Sequence, residues 1–278
     1  MGQAYTGMGA PDPRLNSHGQ LDFRLGAMYR AWAGTDDPLS RVKPLPLPLV
    51  THVWHHASLD ASPRALAAAN CLIFGFYFLL RPGEYLGTPR RTQFRLGDVR
   101  FWIGSRALDH HACTDAEILA ATFVTLTFNR QKNGVRNETV GHGRSGHSHL
   151  CPVHALGLRV LALRHQGATA TTPLNTVRAT ASAPWSYILP SDLTSRLRAA
   201  LALHPDPAYS ASDVSIRSTR AGGAIALLCA GVDSDRIRLL GRWRSDEMYR
   251  YLHVQAQPVM IGLAAAMLRG GSFRLSPD

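Results

Sequence analysis

The 278-residue sequence predicts an α+β chain, mainly helical, with one small antiparallel sheet. Helical spacing of apolar residues recurs in separate stretches, most clearly at Leu66, Ile73, Phe74 and Tyr77 and again at Leu156, Val160 and Leu163. Two other stretches, 94–103 and 120–128, are rich in Val, Thr and Phe and suit strands. Asn133-Gly134 is a strong hairpin signal, with 135–140 as the returning strand.

The first twenty residues have neither an apolar signal core nor an Arg-rich amphipathic pattern, and read as a flexible arm. Residues 20–45 hold one short helix around Phe23, Leu25, Met28, Tyr29 and Trp32, followed by DDPLSRVKPLPLPLV, whose four prolines suppress regular structure. The expected division is an arm and linker over 1–45 and a larger domain over 46–278. Ser62-Pro63 starts the next helix, a cap followed by a first-turn proline. Its apolar run, 65–80, is shorter than the ~20 residues that a membrane span needs and contains Asn70 and Gly75, so a buried helix is expected.

That helix ends at Arg81-Pro82-Gly83-Glu84. Pro82 can open a further helix, whose free N–H groups favour anions, which places Arg81 for phosphate; the alternative is a surface arginine closing an apolar helix. A polar loop is expected between the two strands, and Lys132 at the hairpin tip, with Arg130 and Arg136 as rival basic groups. Residues 152–165 and 193–203 read as helices, the latter with Arg196 and Arg198 on its surface, and 166–190 as a Thr/Ala/Pro-rich loop.

The stretch from 215 to 253 organises the rest. Ala221, Ile225, Leu228 and Val232 share one helical face, and Gly231 ends that helix, so Arg217 and Arg220 stand at its entrance. Asp233 caps a short helix carrying Ile237 and Leu240, which Gly241 stops; Trp243 lies in the following turn, and Ser245-Asp246-Glu247 opens a third helix. On it Tyr249 and Tyr251 stand about 200° apart, and Met248, Tyr251, Leu252 and Gln255 share a face, which makes Tyr251 the inward tyrosine.

A formal charge of +11 and a pI near 10.2 favour a polyanionic partner, the alternative being a basic but inert surface. Cys71, Cys113, Cys151 and Cys229 are far apart and form no C-x-x-C, which argues against a disulfide framework and suits a reducing compartment, nucleus or cytoplasm. Gly141-His-Gly143-Arg-Ser-Gly146 fits a dinucleotide fingerprint letter for letter but leads into HSHLCP rather than a helix, and is discounted. His147, His149 and Cys151 alternate, with His154 three residues on; a strand there would aim three metal ligands one way, yet most such clusters in a His-rich chain bind nothing, and no metal is expected.

Residues 217–253 resemble the C-terminal signature of the tyrosine recombinases (phage-integrase family), most closely the crypton-like and DIRS-like recombinases of eukaryotic mobile elements. Arg217-Ser-Thr-Arg220 looks like the H-x-x-R part, Leu240-Gly241-Arg242-Trp243 like the L-G-H/W part, and Tyr251-Leu-His253 like the Y-x-H part. LLRPGEYL resembles the R-x-x-E box, with Glu84 supporting Arg81. The resemblance implies a tyrosine-recombinase-like catalytic domain over 46–278, preceded by the last piece of a core-binding domain.

It implies further that Tyr251 attacks DNA to give a 3′-phosphotyrosine, Arg81 and Arg220 clamp the phosphate, Lys132 protonates the leaving 5′ oxygen and Trp243 takes the second His/Trp position. No cofactor is implied. The partner is double-stranded DNA, and the helix over 258–269 implies a DNA-induced homo-oligomer, with docking onto its own domain as the alternative. One departure stands out: Arg217 occupies the usual histidine position, and arginine stays protonated, so it cannot accept the tyrosine's proton. Two other readings therefore stay open, a catalytically weak or inactive DNA-binding remnant of a mobile element and a type IB topoisomerase-like relaxase.

Overall fold

The computed structural model describes residues 7–16, 18–35, 43–87, 94–109, 112–129, 137–180 and 182–243. The chain divides into two compact units, Met1–Arg41 and Val42–Asp278. In the first, helix α1 (Phe23–Thr35) covers the apolar cluster expected to be helical. Asp22 opens it, its carboxylate accepting the Arg24 backbone N–H at 2.9 Å.

The second unit is built on α3 (Pro63–Tyr77), which follows α2 (Leu47–Asp60). Ser62 caps α3 by accepting the Ala65 N–H at 3.2 Å, and Pro63 takes the first turn, as the sequence predicts. Ala65 and the whole run Ala67–Phe76 are buried. A helix apolar on all sides belongs in the middle of a fold. Here α3 contacts α2, α6 (Pro152–His165), α7 (Pro190–Leu203) and α8 (Ser218–Cys229).

One four-stranded antiparallel sheet has the order β2-β1-β3-β4, from β1 (Val99–Ile103), β2 (Arg106–Leu108), β3 (Phe123–Phe128) and β4 (Glu138–Gly143). Alternate residues Val124, Leu126 and Phe128 point into the core shared with α3 and α6, together with Phe101 of β1. With α4 (Pro82–Tyr85), α5 (Asp115–Ala120) and α9 (Ser234–Gly241), nine α-helices stand among the described residues, so the chain is mixed α+β and mainly helical. Among them no helix is long and apolar enough to cross a membrane.

Several expectations need correction. The strand predicted over 94–103 begins only at Val99, because Leu96–Asp98 forms a 3-10 turn that Asp98 closes by accepting the Arg95 N–H at 2.8 Å. The loop predicted after it carries β2 and α5; Thr114 and Glu117 form a reciprocal capping box that starts α5. The returning hairpin strand runs to Gly143, three residues further than predicted, with Phe128 opposite Glu138. The loop over 166–190 is tied to the core: Asn175 is fully buried and donates to the carbonyls of Gly87 and Ile188, beside the two-residue ladder of β5 (Thr176–Val177) and β6 (Ser186–Tyr187).

Helix α8 packs on its small residues rather than on the predicted Ile225/Leu228 face: Ala221, Gly222, Gly223 and Ala224 are buried, whereas Ile225 and Leu228 are only partly so. A Cβ on Gly222 would stand 2.2 Å from the Leu45 carbonyl oxygen, and one on Gly223 2.5 Å from that of Phe76. Leu45 itself donates its N–H to the Ser218 carbonyl at 3.0 Å. Gly222→Ala is therefore expected to cost about 3 kcal/mol, since backbone must move. Gly157→Ala, whose Cβ would meet Ile118 at an ordinary 3.5 Å, is expected to gain about 0.5–1 kcal/mol in urea unfolding.

Candidate functional site

Helix α3 ends by reversing its chain. Leu79 adopts a left-handed φ of 49°, and Leu80 donates back to the Gly75 carbonyl at 3.0 Å. A buried leucine in that conformation costs about 1–2 kcal/mol, which its packing in the core offsets. The turn delivers Arg81 as the residue before α4. Glu84 then folds back on it, one carboxylate oxygen accepting the Arg81 backbone N–H at 2.7 Å and the other its guanidinium at 2.9 Å.

The same carboxylate accepts a second arginine. Arg242 donates to Glu84 at 3.0 Å, to the carbonyl of Phe78 at 3.2 Å and to that of Leu240 at 3.1 Å, and its guanidinium lies 4.0 Å over the ring of Phe128. Only 1% of the Arg242 side chain is exposed, against 33% for Arg81. Burial pushes the Arg242 guanidinium below its usual range, and the Glu84 charge pulls it back up. Sequence reasoning did not single out Arg242 for a role. Its sole signal is a basic residue between Gly241 and Trp243, and its left-handed φ of 58° is not legible from composition.

Helix α9 arrives as expected, capped by Asp233, which accepts the Arg236 N–H at 2.9 Å, with Ile237 fully buried. Its end differs: Gly241 is still helical and Arg242 takes the left-handed position. Gly241 is required for another reason, since a Cβ there would lie 1.4 Å from the Trp243 ring. Trp243 is 7% exposed and packs with Leu79, Ala224 and Ile237. Arg220, 5% exposed, stacks 4.1 Å over that ring and donates to the Gly241 carbonyl.

Segment 241–243 thus joins two groups, Arg81 with Glu84 and Arg242 on one side and Arg220 with Trp243 on the other. Two guanidiniums share the Glu84 carboxylate and a third stands on the other side of the segment, which leaves an excess of positive charge. Arg217, where α8 begins, is exposed and makes no side-chain hydrogen bond or ion pair among the described residues. Lys132, Tyr251 and His253 lie outside the described residues, as do Arg130, Arg136, Tyr249 and the helix expected over 258–269.

Beside this group, a cavity of about 390 Å³ is lined by Phe76, Leu79, His142, Gly223 and Leu227. His142 sits on β4 with its ring 4.6 Å from that of Phe78, and burial lowers its pKa from 6.5 to about 4. The His147–Cys151 stretch forms bends rather than the strand that would align ligands: the His147 ring accepts the N–H groups of His149 and Leu150, and His149 stacks on Trp54. Among the described residues no group of three or more His, Cys, Asp or Glu is placed to hold a metal ion. All four cysteines are free.

Searched against protein-family models and against curated proteins, the chain matches none.

Glu84→Gln leaves two arginines on a neutral amide and is expected to cost about 3 kcal/mol, because Arg242 is buried. Arg81→Gln, at a partly exposed position, is expected to cost less than about 1 kcal/mol in the same urea titrations. His142 adds a pH dependence. Its folded pKa is depressed, so its contribution is complete above pH 6.5 and is lost as pH falls toward 4, by up to about 3 kcal/mol. His142→Phe should flatten the wild-type fall in melting temperature over that window.

Proposed function

We propose that the chain is a tyrosine-recombinase-like catalytic domain that cleaves and rejoins double-stranded DNA through a 3′-phosphotyrosine. The observation that carries this reading is the basic group at the end of α3, drawn from three separate stretches around 81–84, 220 and 241–243. The net charge of +11 adds long-range attraction for a polyanion. In this reading the Tyr251 phenolate oxygen attacks phosphorus, the bond to the 5′ oxygen breaks, and Lys132 gives that oxygen its proton. Arg81 and Arg220 hold the non-bridging oxygens, where fixed donors stabilise developing charge. Glu84 orients Arg81, and His253 supports the tyrosine end of the site.

One observation favours a second reading. Arg217, exposed and permanently charged, stands where this chemistry needs a group able to take the tyrosine's proton, which suits a DNA-binding domain of weak or absent activity.

Incubation with nicked suicide duplexes of random sequence, followed by a denaturing gel, separates the two. A covalent protein–DNA adduct that disappears in Tyr251→Phe and persists in Tyr249→Phe is the expected result. Salt-sensitive DNA binding with no adduct would support the second reading, and an adduct retained in Tyr251→Phe would overturn the assignment of the nucleophile. If the adduct forms, Arg217→His should preserve or raise its yield, because histidine exchanges protons near neutral pH. Strand exchange between two labelled duplexes then distinguishes recombination from topoisomerase-like relaxation.

A further inference from the structure

A second cavity, of about 520 Å³, lies between α3 and α6 and is unconnected with the reading above. Its volume falls within the range of about 300–1,000 Å³ that small-molecule sites occupy. Trp54, Leu66, Leu158 and Val177 give it apolar walls. Two deeply buried polar side chains reach it.

Arg159, on α6, is 2% exposed and lines the cavity. Its Nε donates to the Leu174 carbonyl at 2.7 Å and its Nη2 to that of Thr176; Nη1 makes no hydrogen bond among the described residues. No carboxylate pairs with it there, and none lines the cavity. Burial pushes this guanidinium below its usual range, the mark of a charge short of compensation. Asn70, on α3, is 7% exposed, lines the same cavity, and makes no side-chain hydrogen bond among the described residues. Buried polar groups are ordinarily satisfied and buried charges ordinarily paired, so an unpaired guanidinium nitrogen and a bare amide on one apolar cavity are a ligand's complement.

We propose that this cavity binds a small organic carboxylate with an apolar body, its carboxylate set against Arg159 and Asn70 and its apolar part against Trp54, Leu66 and Val177. Arginine and carboxylate match in charge and in fork geometry, and the apolar walls strengthen the pairing by excluding water. An uncharged amide of the same shape keeps the apolar contacts but loses the charge.

Isothermal titration of the full chain with benzoate, and with benzamide as the uncharged match, tests this. Benzoate is expected to bind with a Kd below about 1 mM and benzamide at least tenfold more weakly. Arg159 also anchors the loop at Leu174 and Thr176, so its own replacement would mix folding with binding; positions 70 and 158 avoid this. Asn70→Leu should weaken benzoate about tenfold. Leu158→Trp, at the partly exposed mouth, should abolish binding while the melting temperature stays within a few degrees of wild type. No heat from benzoate up to about 10 mM would overturn the proposal. Equal affinity for benzamide, or full affinity in Leu158→Trp, would do the same by showing apolar or surface binding instead.

Discussion

Burying a guanidinium is costly unless its donors are met, and Arg242 meets those of both terminal nitrogens with groups that also needed partners. The carbonyls of Phe78 and Leu79 end α3, where a helix leaves oxygens without intrahelical donors and carries partial negative charge. Arg242 closes that end, and in doing so ties together the turn after α3, the carboxylate of Glu84, the end of β3 through Phe128, and the segment after α9. Arg81 and Arg220 are placed from this junction, one through Glu84 and the other through Gly241 and Trp243. Glu84 therefore does more than support Arg81. It is the counter-charge that lets Arg242 remain inside.

Local signals in the sequence were legible where one short motif determines the outcome. Ser62-Pro63 places the start of α3, Asp233 that of α9, and the likeness of Arg81-Pro82-Gly83-Glu84 to an R-x-x-E box already contains the contact of its two ends, three residues apart. Thr114 and Glu117 carry an equally local signal for α5 that the polar surroundings concealed. Tertiary partners were not legible. Nothing in FRLGD says that Gly97 and Leu96 will bond to Ala170 and Thr172 rather than extend a strand. Nothing in LGRW says that the arginine turns inward, because its partners lie some 160 positions away. Apolar periodicity misled for α8, where the buried face is defined by the absence of side chains and so leaves no trace on a hydrophobicity pattern.

That face has a mechanical meaning. Glycine and alanine have no side-chain rotamers to give up, so the contact of α8 with Leu45 and the end of α3 forms without the entropy loss of ordering long side chains. It also has no rotamers with which to adapt. Backbone lies against backbone at distances that admit no sliding, and α8 behaves as a fixed post against α3.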